Sequence, residues 1–230
     1  MPDVAQNRLL AQLSSTQLEH LGPHLRPIEP AYGEVLIEQD QPCHAVFFPL
    51  PGAVLSLARQ AEDGTVVEVG VIGNEGMAGV AAVLDPHRHL DRGQVQATGT
   101  FLGLDASVFS GEIGRDAQLR ALFFRYLNAF LMQVAQTALC NRLHALEQRL
   151  ARWLLMMHER VGRDELRLTQ EFLADMLGTR TAGVNESVHA LVRAGVIAHA
   201  RQRMTVVDRA GLERMACECY AVAREEMLRV

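Results

Sequence analysis

Lysine is absent from the chain, and so is any long apolar run. All 22 basic residues among the 230 are arginine, which we attribute to the composition of the genome rather than to mechanism. No run of 18 or more apolar residues occurs, so no transmembrane helix is expected. The first six residues lack the basic and apolar regions of a signal peptide. We therefore expect a cytoplasmic protein without a membrane partner.

Cysteine is scarce as well. Cys43, Cys140, Cys217 and Cys219 are scattered and include no CxxC pair, which argues against a disulfide scaffold and against a standard zinc site. The last two lie in a helical pattern, where side chains two residues apart diverge by about 200°. We therefore expect inert structural thiols and no metal site.

Motifs of catalysis are missing too. No catalytic triad, P-loop or pair of carboxylates is recognisable, and we expect no enzymatic activity. A metal-dependent barrel enzyme is one alternative, because His87 and His89 have the HxH spacing of such sites. That pair follows Asp85-Pro86 in a polar, turn-like stretch, which argues against it. A second alternative is a nucleotide-sensing module that does not bind DNA.

The net charge of −5 is unevenly distributed along the chain. Residues 1–115 hold 6 arginines and 14 acidic residues, a net charge of −8. Residues 142–209 hold 11 arginines and 8 acidic residues, a net charge of +3. The basic second half indicates an anionic partner. A solvated basic surface would have the same composition, so charge alone does not decide between the two.

The first half of the chain has the pattern of a β-domain. Residues 7–22 predict a short helical entry, in which Ser14 or Ser15 can cap a second short helix at residues 16–21. Residues 31–108 then form short β-branched segments separated by glycine. Asp63-Gly64 between two such segments is typical of a hairpin turn. Several short strands at nearly regular spacing predict a β-sandwich or barrel.

Residues 116–141 have helical spacing and contain neither glycine nor proline. One stripe, which includes Leu119, Leu122 and Tyr126, is predicted to pack against the barrel. A second stripe repeats at intervals of four and three residues, as in a coiled coil, and predicts a parallel homodimer. The alternative is an ordinary amphipathic helix. The dimer seam is predicted at Phe123, Leu127, Phe130, Val134, Thr137 and Asn141.

Residues 168–197 have the pattern of a helix-turn-helix. Thr169 is a suitable N-cap for the first helix, and Gly178 suits a turn that needs positive φ. Val184, Val188, Leu191 and Val192 are expected to bury the second helix, which leaves its polar face outward. Two strand-like segments joined by an arginine-rich turn follow and predict a wing. An αα-hairpin in an unrelated core is the alternative for any single feature, but the combined order favours DNA binding.

The predicted DNA-reading residues lie at the start of each helix and on the wing. Arginine can bind guanine through two hydrogen bonds and asparagine can bind adenine in the same way, and helix N-termini and wing arginines suit phosphates. The predicted contacts are Thr169, Gln170, Thr179, Arg180, Thr181, Asn185, His189, Arg201 and Arg203.

The chain resembles the Crp/Fnr family of transcription regulators over nearly its whole length. The strongest match is the segment from Leu168 to Gly178, which reads LTQEFLADMLG. Further matching positions are Val184, Leu191, Gly195 and Ile197, with Gly33-Glu34-Val35-Leu36 and Gly73-Asn74-Glu75-Gly76-Met77-Ala78-Gly79 in the barrel.

The resemblance implies an α+β fold and a regulator function. We expect a jelly-roll barrel like cyclic-nucleotide-binding domains (residues 1–115), a dimerisation helix (116–141), and a winged helix-turn-helix with a C-terminal helix (142–230). The implied activity is binding of a homodimer to a pseudo-palindromic promoter site in double-stranded DNA, with RNA polymerase as a further partner. Thr181 and Ala182 stand where the family usually carries an Arg-Glu pair, so the target sequence is expected to differ from the family's familiar half-site.

The resemblance also implies an effector site in the barrel, with a departure. Gly73, Glu75, Gly76 and Arg92 correspond to the phosphate cassette of the members that bind cyclic AMP. However, an extra residue precedes Glu75. Asp91 takes the position of the phosphate-binding arginine, and Arg92 follows one residue late. A carboxylate there would repel a cyclic phosphate.

The positions on the long helix argue in the same direction. Val134 and Ala135 stand where the family's base-contacting hydroxyls are expected, and neither side chain can form a hydrogen bond. We therefore expect either a nucleotide other than cyclic AMP or no small ligand, and no certain cofactor.

Overall fold

Two antiparallel sheets form the N-terminal half of the chain in the computed structural model, which describes residues 4–230. One sheet has the strand order β2-β6-β4-β5 and the other has the order β1-β7-β3. This arrangement agrees with the predicted jelly-roll barrel and α+β class. The strands are β1 (Arg26–Ile28), β2 (Val35–Ile37), β3 (Ala45–Pro49), β4 (Val54–Gln60), β5 (Val66–Ile72), β6 (Arg92–Ala97) and β7 (Phe101–Asp105).

The β4–β5 hairpin forms at the predicted turn. Gly64 has a φ of +86°, and the Thr65 amide donates to Oδ1 of Asp63 at 2.9 Å. Strand β1 was not expected, because Pro27 lacks the amide proton of a ladder. It pairs on one side only, with β7, and an edge strand tolerates proline.

Short helices precede and interrupt the barrel. Ser14 caps the first α-helix, as predicted: its hydroxyl accepts from the Gln17 amide and its own amide donates to the Gln17 side chain. Three-residue 3-10 helices lie at Val4–Gln6, Leu10–Gln12 and Gly22–His24, and the α-helices are α1 (Ser15–Leu21), α2 (Ala81–Leu84) and α3 (Ala106–Arg115).

The long helix α4 (Ala117–Leu143) packs one face on the barrel. Asp116 caps it, accepting from the amides of residues 118 and 119 at 2.8 and 3.0 Å. Leu119, Leu122 and Tyr126 are buried, as predicted for the inner stripe.

The predicted dimer seam needs a correction. Phe123 and Phe130 are only 2% and 4% exposed, inside the protomer's own core, so they cannot form an outer seam. Of the remaining seam residues, Leu127, Val134 and Thr137 are half-buried, and Asn141 is exposed. The apolar stripe that faces outward lies about one residue away in register, roughly 100° around the helix. Its large side chains are Phe124, Leu131, Met132, Leu139 and Leu143.

The C-terminal half contains the predicted helix-turn-helix and wing. A third antiparallel sheet has the order β8-β10-β9. The elements are α5 (Leu146–Val161), β8 (Glu165–Arg167), α6 (Gln170–Met176), α7 (Thr181–Arg193), β9 (Ile197–Ala200), β10 (Arg203–Val206), α8 (Arg209–Met215) and α9 (Cys219–Leu228).

The predicted single C-terminal helix is broken. Asp208 caps α8 through the Gly211 amide, as expected, but the chain leaves the helix at residues 216–218 before α9 begins. The expectation that Cys217 and Cys219 diverge along one helix is therefore wrong.

Helix α5 joins the two halves. All eight side chains at residues 150–157 are buried. Its apolar side chains share a core with the helix-turn-helix and with Val54, Val71 and Ala97 of the barrel sheet. None of the helices in residues 4–230 combines the length and the apolarity needed to cross a membrane.

A buried carboxyl group lies at this junction. Glu68 on β5 accepts from the Trp153 indole N–H at 2.8 Å and from the Ser56 hydroxyl at 2.7 Å. Burial, opposed by these two hydrogen bonds, raises the pKa of Glu68 to about 7. The folded state therefore holds the Glu68 proton more tightly than the unfolded chain does.

This raised pKa predicts a pH-dependent stability. A group with a raised folded pKa contributes stability below its unfolded pKa, and that contribution is lost as the pH rises through the folded pKa. Between about pH 5 and about pH 8, the free energy of unfolding should fall by an amount of the order of 3 kcal/mol more in the wild type than in Glu68→Gln. Urea denaturation followed by circular dichroism measures both slopes. The same pH dependence of the unfolding free energy in both proteins would contradict the raised pKa of Glu68.

Candidate nucleic-acid interface

The helix-turn-helix is held by the two local features that its sequence predicts. The Thr169 hydroxyl accepts from the Phe172 amide at 3.1 Å and caps α6. Gly178 has a φ of +55° in the turn, a region that favours glycine. Leu173, Met176 and Leu177 are buried as expected, and Phe172 is half-buried against Trp153.

One face of α7 is anchored in the core and the opposite face is free. Val184, Val188 and Leu191 are completely buried, which fixes the rotation of the helix. Val192 was also expected to be buried, but it is 38% exposed because it lies to one side of this stripe. The opposite face therefore presents polar side chains to solvent.

Most of the predicted base-reading residues lie on that free face. Arg180, Thr181, Asn185 and His189 are exposed, and Thr179 is half-buried in the turn. Arg180 stands at the N-cap, and no side chain caps the helix there. The first amides of α7 thus remain available to an anion.

Asn185 is oriented by the other helix of the motif. The Gln170 side-chain N–H donates to Oδ1 of Asn185 at 3.1 Å. This bond leaves the amide group of Asn185 free to donate and its oxygen with a second lone pair. The bond thus joins the start of α6 to the exposed face of α7.

The wing carries exposed arginines in a tight turn. Arg201 has a φ of +56°, an uncommon conformation for a residue with a side chain, and its guanidinium projects at the tip of the β9–β10 hairpin. Arg203 is exposed and pairs with Glu165 at 3.4 Å. Both predicted wing residues thus lie on the surface.

Three further charged residues share this surface and were not among the predicted contacts. Arg167 lies opposite Arg203 across the β8–β10 ladder, and both are exposed. Like charges directly opposite each other destabilise a sheet, so an anion would favour this pair. Glu186 and Arg193 are exposed on α7, and helical periodicity from Val184 could have found them.

The start of α7 borders the barrel. A groove of about 660 Å³ runs between the β4–β5 hairpin, at Gly64 and Val66, and the α6–α7 turn, at Gly178 and Arg180. A Cβ on Gly178 would lie 3.1 Å from the Val67 side chain. The barrel therefore packs directly behind the turn of the DNA-reading motif.

The residues predicted for an effector have other partners. Glu75 is buried and accepts from Nε of Arg160 on α5 at 2.8 Å, and Nη2 of Arg160 lies 2.8 Å from the same oxygen. The amide of Gly73 also donates to Glu75, at 3.1 Å. A side chain at Gly76 would clash with the ring of Tyr126 on α4. This glycine-rich loop is packed against the helices that lead to the DNA-reading domain.

Arg92 lies apart from Glu75. It reaches outward from β6 to Glu38, at 3.8 Å, while the neighbouring Gly93 faces the barrel interior against Ile37 and Leu55. The cavity next to Asp91 has a volume of about 90 Å³, well below the roughly 300–1,000 Å³ of typical ligand sites. This cavity as it stands is too small for a nucleotide.

Among residues 4–230, no third ligand joins the HxH pair of the enzyme alternative. Within these residues, one group of three or more metal-ligating side chains comes together. It lies in the C-terminal half and includes neither His87 nor His89. His89 is buried and burial lowers its pKa, while His87 is exposed in a turn.

Comparisons with known proteins agree with this interface. The family model of the Crp-like helix-turn-helix domain matches residues 148–215. No curated protein sequence matches the chain closely enough to count as a relative.

Solved structures share the complete fold. A putative Crp/Fnr regulator from Eubacterium rectale is 16% identical with a TM-score of 0.72, over 90% of this chain and 96% of its own. FixK2 from Bradyrhizobium japonicum is 16% identical with a TM-score of 0.71, over 84% and 98%. The c-di-GMP-responsive regulator CLP from Xanthomonas campestris is 13% identical with a TM-score of 0.68, over 84% and 99%.

The chain is thus a helix-turn-helix transcription regulator that binds DNA. More particularly, it has the Crp-like helix-turn-helix domain and the fold of the Crp/Fnr regulators, and the resemblance seen in its sequence is confirmed.

The Glu75–Arg160 pair predicts a large coupling between the barrel and α5. Both side chains are less than one-tenth exposed, so Glu75→Gln leaves a buried guanidinium without its counter-charge and should cost about 3–5 kcal/mol. The double variant Glu75→Gln/Arg160→Met removes that charge and should recover most of the loss. Chemical denaturation of the wild type, the two single variants and the double variant gives the coupling energy. A loss in the double variant equal to the sum of the two single losses would show that the side chains act independently.

Proposed function

We propose that the protein acts as a homodimer and reads a pseudo-palindromic promoter site through α7 and the wing. The observation that carries this proposal is the polar outer face of α7, which is fixed in rotation by its buried valines and leucine. A helix of this kind enters the major groove with its N-terminal half.

The reading residues have separate roles. Arg180 can bind guanine through two donors, and Asn185, supported by Gln170, can bind adenine. Thr181 and the free amides at the start of α7 suit a phosphate. Arg167, Arg201 and Arg203 neutralise backbone phosphates on the wing side, which makes the affinity depend on salt.

The outer stripe of α4 is our candidate for the dimer interface. Phe124 and Leu131 are 48% and 56% exposed, seven residues apart on one face, and this heptad spacing favours a coiled-coil contact with a second copy. A parallel pair of α4 helices would place the two reading motifs around a two-fold axis, as half-sites one helical turn apart require.

We further propose that the form without ligand already binds DNA and acts in contact with RNA polymerase. The small barrel cavity and the use of Glu75 by Arg160 support this competence. Selection from a random pool of DNA duplexes by the purified protein, with no ligand added, tests it. A two-fold symmetric motif is expected. Enrichment that appears only with an added cyclic nucleotide would overturn the proposal that the ligand-free form binds DNA. No enrichment under any condition would overturn the proposal that a dimer reads a specific DNA site.

Arg180 provides the sharpest test of the reading register. Arg180→Ala should lose about 1–3 kcal/mol in each half-site, roughly 5- to 150-fold in affinity per half-site, and should relax the choice of base at one position in each. Fluorescence anisotropy at fixed salt measures both. Arg115→Ala, an exposed arginine on α3, is the control and should bind normally. Unchanged binding by Arg180→Ala would show that Arg180 does not contact a base in the major groove.

Leu131 tests the dimer face. Leu131→Glu places a charge in the centre of the exposed stripe and should convert the dimer into a monomer of about 25.4 kDa, as measured by light scattering after size exclusion. Leu84→Glu replaces a leucine of similar exposure, 54%, on the barrel and should remain dimeric. A dimer that survives Leu131→Glu would move the interface elsewhere.

A further inference from the structure

Four side chains that bind metals well come together where the end of α4 meets the segment that leads into α9. Cys140 and His144 lie at the end of α4, and Cys217 and Cys219 lie at the start of α9. The three sulfur atoms and a ring nitrogen of His144 all lie within 4.8 Å of one another. Residues 4–230 contain no second group of this kind.

The fold explains why these residues meet. Cys140 lies in the last turn of α4, and His144 is the C-cap of that helix, with its amide donating to the Cys140 carbonyl at 3.1 Å. The break between α8 and α9 takes Cys217 out of the helix, and so its side chain and that of Cys219 point to the same place. Three of the four residues are at most 5% exposed, and His144 is half-buried.

The spacing of the atoms fits a tetrahedral ion. The Cys140 and Cys217 sulfurs are 3.4 Å apart, and the Cys219 sulfur is 3.4 Å from Nδ1 of His144. Zinc bound at about 2.3 Å from sulfur and about 2.0–2.1 Å from nitrogen separates its ligands by roughly 3.5–3.8 Å. Small side-chain adjustments would therefore complete the site.

The surroundings are those of a bound histidine and thiolates. Oε1 of Glu218 lies 3.2 Å from Nε2 of His144, where a carboxylate can orient a metal-binding histidine. The Gln136 side-chain N–H donates to the sulfur of Cys219 at 3.1 Å. Both contacts favour the forms that bind a metal, which are a histidine with Nδ1 free of a proton and a cysteine thiolate.

Two arginines bring positive charge to the neighbourhood of Cys140. Arg149 and Arg152 both interact electrostatically with Cys140. The Nε atoms of both are buried without a hydrogen-bond partner in the part of the chain that the structure describes. Three thiolates and a neutral histidine around a divalent ion carry a net charge of −1, which these guanidinium groups would offset.

We propose that Cys140, His144, Cys217 and Cys219 bind one zinc ion in a closed, four-ligand structural site. The ion fastens the end of α4, just before α5 begins, to the C-terminal helix. None of its four ligands lines the barrel cavity or belongs to the proposed DNA-reading residues. On binding, each cysteine releases its thiol proton to solvent and no redox step is involved.

Metal analysis of the full-length protein, purified without chelator or affinity metal, tests the site. Inductively coupled plasma mass spectrometry should find one zinc per chain. Cys140→Ser and Cys217→Ser should each lose the ion, whereas Cys43→Ser, which alters the buried barrel cysteine, should keep it. A disulfide between Cys140 and Cys217 in the purified protein without zinc would overturn the proposal, as would four reduced thiols that take up no zinc.

Cobalt substitution tests the ligand set without depending on variants that fail to fold. Replacement of zinc by Co²⁺ in the wild type should produce thiolate charge-transfer and tetrahedral d–d absorption bands. Glu218→Gln should keep these bands but weaken metal affinity by about 10- to 100-fold, because it loosens the orientation of His144. Octahedral cobalt spectra, or an affinity that Glu218→Gln leaves unchanged, would contradict the proposed geometry.

Discussion

The burial of α5 between the barrel and the helix-turn-helix is the constraint on which the rest of the structure depends. Eight consecutive side chains of this helix are out of solvent, and a helix without an exposed face is stable in water only when protein covers it on every side. Strands β4 and β5 provide one side of that cover, and α7, α8 and α9 provide others. The rotation of the reading helix is therefore set by the same helix that touches the barrel.

The polar groups at this junction make the contact specific. Glu68 with Trp153, and Glu75 with Arg160, each join the barrel to α5 by a buried hydrogen bond or ion pair. Leaving either partner unsatisfied is costly, so the two halves have one favoured arrangement. This use of Glu75 gives the glycine-rich loop a structural role, at the place where the resemblance implied a ligand.

The sequence could predict what local chemistry decides. The cap at Thr169, the turn at Gly178 and the hairpin at Gly64 depend on neighbouring residues only, and all three form as predicted. What depends on distant partners could not be found. Helix α4 is apolar on two sides, so its sequence does not say which side packs on the barrel. In the folded protein Phe123 and Phe130 face the barrel, and the exposed stripe therefore lies about one residue away from the predicted one. The cysteine cluster joins residues 77 positions apart, and a break in a helix brought them together.

The single tryptophan tests the central claim most directly. Trp153 is 4% exposed at the junction, and it is the chain's only indole, so its fluorescence reports the docking of α5 on the barrel. The account predicts a blue-shifted emission in the native protein and quenching by acrylamide that is much weaker than after unfolding. Emission and quenching typical of an indole in water, in a protein that remains folded by circular dichroism, would show that the two halves are not docked through α5.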